Sequence, residues 1–180
     1  MKYASDDLMN EHEAILHGLS ILDKMATAAA AGRLGDSSDP AAMIDFLKVF
    51  ADTCHHGKEE TILFPAMEGH GIAKERGPIG QMLAEHEEGR KLIRAMADAA
   101  AKKPFDAKGF AANAVSYAAL LRAHIQKENT ILFPMGDRAI PEPEQLKILE
   151  AFERHEETVI GHGVHERLHA MLDEFSKRYA

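Results

Sequence analysis

The chain has a single cysteine, Cys54, and no tryptophan. One cysteine excludes an internal disulfide framework and points to a reducing cytoplasm. Aromatics are few, three Tyr and eight Phe, while Ala, Leu, Met and Glu abound. That balance favours helix over sheet. Positive charge is in deficit: 21 Lys and Arg face 29 Asp and Glu, a net charge of −8 with His neutral. An acidic surface argues against nucleic acid or an anionic membrane as partner. No apolar run approaches the roughly 20 residues of a membrane span. The start, Met1-Lys2-Tyr3-Ala4-Ser5-Asp6-Asp7, has no apolar signal region. These absences lead to the expectation of a cytoplasmic protein with no protein partner specified. A length of 180 residues suits one domain with a real core.

Histidine is what the chain has in excess. There are eleven, and many stand beside glutamate: His12-Glu13, His86-Glu87, His155-Glu156 and His165-Glu166. So many imidazoles with almost no thiol point to nitrogen and oxygen ligation of a metal.

Breakers divide the chain into helices. Ser5, Asp6 and Asp7 start a first helix whose apolar positions Leu8, Ile15, Leu19 and Leu22 recur at helical spacing. It runs out at Ala31-Gly32. Asp39-Pro40 reads as an N-cap followed by Pro at the first helical position, opening a second helix to about Glu68. Pro78 opens a third, to about Lys102 or Lys103. Asp106 caps a fourth, which extends towards Gly136. Pro143 opens a fifth ending near Ile160, and a sixth follows from Val164 to about Tyr179. Pro65 and Pro134 are expected to kink or end their helices.

Four long helices on short loops predict an all-α, up-down-up-down four-helix bundle, with one or two additional C-terminal helices. The whole, 1–180, reads as one domain: a bundle core of about 6–136 and a helical extension of about 141–179. Two segments repeat: His55-His56-Gly57-Lys58-Glu59-Glu60-Thr61-Ile62-Leu63-Phe64-Pro65 matches His124-Ile125-Gln126-Lys127-Glu128-Asn129-Thr130-Ile131-Leu132-Phe133-Pro134. The first helices match more weakly, through Asn10-Glu11-His12-Glu13 and Ala84-Glu85-His86-Glu87.

Residues four apart share a helix face, about 5–6 Å apart at Cβ. His55 with Glu59, and His124 with Glu128, can each turn a nitrogen and a carboxylate to one point. His12 and His86 lie about two turns into their helices, and His55 and His124 about three turns before the ends of theirs. In an up-down bundle all six fall in one layer. Four imidazoles and two carboxylates suit a dinuclear site, each carboxylate bridging and each ion taking two imidazoles. Buried carboxylates need paired positive charge, which two divalent ions supply. Such mixed ligation suits iron or manganese better than structural zinc. Six protein ligands leave coordination positions open.

The pattern resembles the hemerythrin-like, or HHE cation-binding, domain. It has one His on helix one, His-x-x-x-Glu on helix two, Glu-His-Glu on helix three, and His-x-x-x-Glu before Leu-Phe-Pro on helix four. The likeness covers roughly residues 6–136. It implies that His12, His55, His86 and His124 are terminal ligands and that Glu59 and Glu128 bridge two iron ions, with a solvent, oxo or hydroxo bridge. Mn or Zn can take the place of iron on purification. Hemerythrins carry a second His four residues after the helix-three His, where this chain has Arg90. They carry His-x-x-x-x-Asp on helix four, where this chain has His-x-x-x-Glu. His56, His155 and His165 are the further candidate ligands for the position left open. Tyr117, seven residues before His124, is a candidate for hydrogen bonding near the metals.

The function implied is binding or reduction of dioxygen, peroxide or nitric oxide. A sensing module without turnover is the alternative. Iron donation for iron–sulfur repair is a third reading, ranked lowest because that subgroup carries a cysteine-containing N-terminal segment.

Overall fold

The computed structural model describes residues 3–161 and 163–179. Among the described residues there are six helices and no strand: α1 (Ala4–Ala30), α2 (38–69), α3 (Pro78–Ala101), α4 (107–139), α5 (142–160) and α6 (Val164–Arg178). Among these residues no helix is long and apolar enough to cross a membrane.

The ends follow local chemistry. The Asp6 carboxylate accepts the Tyr3 N–H at 2.9 Å, and Asp106 accepts the Gly109 N–H at 2.9 Å. These satisfy N–H groups that a helix start leaves without partners. Pro40 and Pro78 sit in first turns, where no N–H is required.

The winding departs from expectation. Residues 47–56 and 59–63 of α2, 128–132 of α4 and 156–160 of α5 form wide π-type turns. Three of these share the pattern Glu-x-Thr followed by two apolar residues: Glu59-Glu60-Thr61-Ile62-Leu63, Glu128-Asn129-Thr130-Ile131-Leu132 and Glu156-Glu157-Thr158-Val159-Ile160. In each, the threonine hydroxyl donates to the carbonyl four residues back, at 2.6–2.7 Å. That bond competes with the backbone ladder and loosens the turn. Pro65 and Pro134 do not end their helices, which corrects that half of the expectation. Each follows directly on a wide turn, and α-helical winding resumes through it.

Helix α1 packs on α2 and α4, and α3 packs on α2 and α4. Helices α5 and α6 lie against α1, with α5 also touching α2. Gly57 lets α5 approach, since a Cβ there would meet the His155 ring at 2.8 Å. The buried apolar side chains form two clusters. One includes Ile15, Leu19, Phe50, Ile93, Tyr117 and Leu121, and Leu168, Leu172 and Phe175 of α6 join it. The other includes Leu8, Leu63, Phe64, Met82, Phe133 and Phe152. On each of α1 to α4, buried polar residues lie between these clusters: His12 on α1, His55, His56, Lys58 and Glu59 on α2, His86 on α3, and His124 and Glu128 on α4.

Candidate metal centre

His12, His55, His56, Glu59, His86, His124 and Glu128 are all buried, none more than 3% exposed. So much ionisable surface removed from water requires compensation. The rings pair through their inner nitrogens: Nε2 of His55 lies 2.9 Å from Nε2 of His12, and Nε2 of His86 lies 3.1 Å from Nε2 of His124. Glu59 reaches both pairs, its Oε1 at 3.5 Å from His55 Nε2 and its Oε2 at 3.3 Å from His86 Nε2. Glu128 Oε2 lies 3.4 Å from His12 Nε2 and 3.1 Å from His124 Nε2. Each carboxylate thus stands between one ring of each pair.

The outer nitrogen of every ring faces an oxygen. Nδ1 of His12 meets Asn129 at 2.7 Å, that of His55 meets Glu11 at 2.9 Å, that of His86 meets Glu60 at 2.7 Å, and that of His124 meets Glu85 at 3.0 Å. Nδ1 of His56 meets Asp52 at 3.3 Å. An oxygen acceptor keeps the proton on Nδ1, so the neutral ring turns its Nε2 lone pair inward. Backing of this kind orients ligating histidines and raises their basicity. The backing groups are themselves held: Glu11 accepts from Lys58 at 2.7 Å, Glu85 is bonded by Lys127, and Glu60 accepts from Arg90 at 2.7 Å.

These residues fit metal cations. Inward-facing lone pairs about 3 Å apart repel unless a cation or a proton lies between them. Two nitrogen donors at right angles, each about 2.1 Å from one ion, are about 3 Å apart. His56 Nε2 and both oxygens of Glu59 and of Glu128 are buried with no hydrogen-bond partner, which is uncommon for buried polar groups. Two sets of four converge, with ligand atoms within 4.8 Å of one another: His12, His55, Glu59 and Glu128, and His56, Glu59, His86 and His124.

The titration behaviour agrees. Burial disfavours the imidazolium form, but facing carboxylates outweigh it. His55 is raised by Glu59 and Glu11, His86 by Glu59 and Glu60, and His124 to about 10 by Glu128 and Glu85. His56 goes the other way. Burial and the neighbouring His86 and His124 rings hold it well below the ordinary imidazole value. Burial pushes the Glu128 carboxyl up, but His124 and His12 hold it far below the usual range.

The six expected core residues therefore meet in one layer, and His56 joins them. An α-helical step of 100° would turn His56 away from the direction of His55. Both lie in the wide-turn segment 47–56, and the two ring centroids are 5.7 Å apart. His155 does not join them, which corrects that expectation. It sits over Gly57, its Nε2 at 3.2 Å from the Thr53 carbonyl, on the outer side of α2. The side chain of His165 lies outside the described residues. Tyr117 is wholly buried, its hydroxyl has no hydrogen-bond partner, and burial pushes its phenol far up. Its ring lies by Gly89, three residues past His86, where a Cβ would be 3.5 Å away.

Sequence reasoning missed the backing residues Glu11, Asp52, Glu60, Glu85 and Asn129. The repeat held the signal, since Glu11 and Glu85 directly precede the first-helix histidines, and Glu60 and Asn129 directly follow the bridging glutamates. Glu11, Cys54 and Glu156 also cluster within ligand distance. There the Lys58 ammonium already lies 2.7 Å from Glu11 and 3.3 Å from Glu156, and burial and Glu11 push the thiol up to about 12. It is an ion-pair cluster, not a second centre.

No curated protein and no solved structure matches the chain. The pattern of the hemerythrin HHE cation binding domain matches residues 3–136, which takes in every residue of the layer. The chain therefore belongs to the hemerythrin HHE cation-binding domain family, whose members bind metal cations, typically iron.

Proposed function

We propose that this is a diiron protein that binds or reduces dioxygen, peroxide or nitric oxide. Helices α1 to α4 form an up-down-up-down bundle around the two ions, and α5 and α6 extend it. Pairs between α1 and α4 support the arrangement, because they run in opposite directions: Ser5 with Asp137, His12 with Asn129 and Asp23 with Arg122. His12 and His55 would hold one ion, and His56, His86 and His124 the other, with Glu59 and Glu128 shared. The observation that carries the reading is the set of four buried carboxylate oxygens with no donor, enclosed by five inward ring nitrogens.

When bound, an iron pair supplies two electrons at one place, which suits a small oxidant. The protein's residues do the rest. Glu59 and Glu128 bring two negative charges and so favour the higher-charged, oxidised pair. The apolar clusters on either side exclude bulk water; Phe133 stacks on His12 at 5.5 Å and Phe64 on His86 at 6.1 Å. Tyr117 keeps an unused, buried hydroxyl donor, its ring beside Gly89 of α3.

Anaerobic loading with Fe(II), metal analysis, and exposure to O2 and H2O2 test the reading. Two irons per chain, a charge-transfer band on oxidation and loss of peroxide are expected. Fewer than two irons refutes the centre. Two irons with neither band nor peroxide loss refutes the redox role.

One observation favours sensing as a second reading. A continuous chain of contacts leaves the layer for the extension: His55 to Glu11, Glu11 to Lys58, and Lys58 to Glu156 of α5. Iron-dependent protection of 142–160 from hydrogen exchange, without turnover, would support it.

A further inference from the structure

We propose that Arg90 and Asp52 position His56 as a donor to one ion only, and so make the two metal positions unequal. The proposal rests on the dinuclear reading above.

The two halves of the layer correspond residue by residue. Glu11 backs His55 as Glu85 backs His124, and Lys58 holds Glu11 as Lys127 holds Glu85. Glu60 backs His86 as Asn129 backs His12. The correspondence fails at one place. The register that pairs His55 with His124 pairs Asp52 with Leu121 and His56 with Ile125. The register that pairs His86 with His12 pairs Arg90 with Leu16. Three polar residues on one side thus stand where three apolar ones stand on the other.

Those three residues form one connected unit. Arg90 Nε donates to Asp52 Oδ1 at 2.8 Å, and the same oxygen lies 3.3 Å from His56 Nδ1. A second arm of the guanidinium donates to Glu60 Oε1 at 2.7 Å, and that oxygen takes His86 Nδ1 at 2.7 Å. One planar fork therefore sets two adjacent rings, which stack with centroids 3.9 Å apart. With Nδ1 committed to Asp52, His56 turns inward the buried Nε2 that lacks a partner. His56, His86 and His124 would then offer three nitrogens to one ion, where His12 and His55 would offer two to the other. Arg90 touches neither ion; it is a positioning residue acting through Asp52 and Glu60.

Anaerobic Fe(II) calorimetry on the full chain, with Mössbauer spectra of protein carrying one 57Fe, tests this. The wild type is expected to show two unequal binding steps and one quadrupole doublet at half loading. Arg90→Leu and Asp52→Asn are expected to weaken the tighter step by about 10- to 100-fold and leave the other within about twofold, so that two doublets appear at half loading. Arg90→Lys is not expected to restore it, because an ammonium lacks the fork that spans both carboxylates. In a His56→Ala background, Arg90→Leu is expected to add little further loss to that step, as coupled residues do. Equal weakening of both steps, no weakening of either, or a fully additive loss in that background overturns the proposal. Should Arg90→Leu not fold, the near-isosteric Asp52→Asn decides. A wild type that takes up fewer than two ions refutes the underlying dinuclear reading, and the proposal falls with it.

Discussion

His56 and His155 were both candidates for the open position on helix three, and their surroundings now separate them. His56 is 3% exposed with an inner nitrogen that nothing satisfies; His155 spends its nitrogen on the Thr53 carbonyl. His56→Ala is therefore expected to lower iron content or one of the two affinities, whereas His155→Ala leaves both unchanged. Metal analysis after gel filtration and the same calorimetric titration check this, and a reversed order would assign the position to His155. Tyr117 calls for a different experiment. A buried hydroxyl without a partner adds nothing to stability, so Tyr117→Phe is expected to leave the fold unchanged or up to about 1 kcal/mol more stable. Under the function proposed above, that hydroxyl has a use, as a donor to a small ligand bound at the centre. Azide titration of the oxidised protein, followed by its visible band, is expected to show weaker binding in Tyr117→Phe at unchanged iron content. Equal azide affinity would make the residue a core tyrosine and no more.

At the scale of elements, Lys58 joins the layer to α5. Its ammonium is 1% exposed, lies among Asp7, Glu11 and Glu156, and stands 5.5 Å from the Phe152 ring centre. Burial alone would depress this lysine, but the Glu11 carboxylate raises it, so the charge persists. Lys58→Met leaves Glu11 buried beside His55 without its cation. Removing one partner of a buried pair costs about 3 kcal/mol or more. The expected outcome is a lower unfolding midpoint, together with faster hydrogen exchange confined to 142–160. Uniformly faster exchange would show that Lys58 supports the core and does not tie down the extension. The helices themselves were legible because Pro40, Pro78, Asp106 and the glycine-rich breaks mark their ends, and the six principal site residues because repetition set them at one depth. The wide turns were not legible, since spacing arguments assume α-helical winding. The inward direction of His56 and the passage of α2 and α4 through Pro65 and Pro134 were lost with them. Backing by Glu60 and Asn129 crosses between helices, and no single-helix pattern reports it.

For the molecule as a whole, the polar layer divides the apolar core in two, and something positive must hold it together. In the metal-free protein protons serve. His55, His86 and His124 have raised values, so their contribution is complete below the unfolded value of 6.5 and is lost as pH rises, up to about 10 for His124. Glu11 works in the opposite sense. Burial raises it, but His55 and Lys58 bring it down to about 2, so its contribution is present above 4.5 and is lost as pH falls from there towards 2. His56, held neutral by burial and by the neighbouring rings, loses its contribution as pH falls below 6.5, so the metal-free chain should be most stable near pH 6.5 and weaken on both sides. Metal replaces the protons of the rings and leaves the Glu11 pairing alone, so it should remove the alkaline decline but not the acid one. Thermal melts of metal-free and anaerobic Mn(II)-loaded protein at pH 5.5 and 8.5 make the comparison. The increment on loading is expected to be larger at pH 8.5, because at pH 5.5 the metal must first displace bound protons. An equal or larger increment at pH 5.5 would mean that the rings are neutral in the metal-free fold. The close nitrogen pairs would then be held apart by something other than protons.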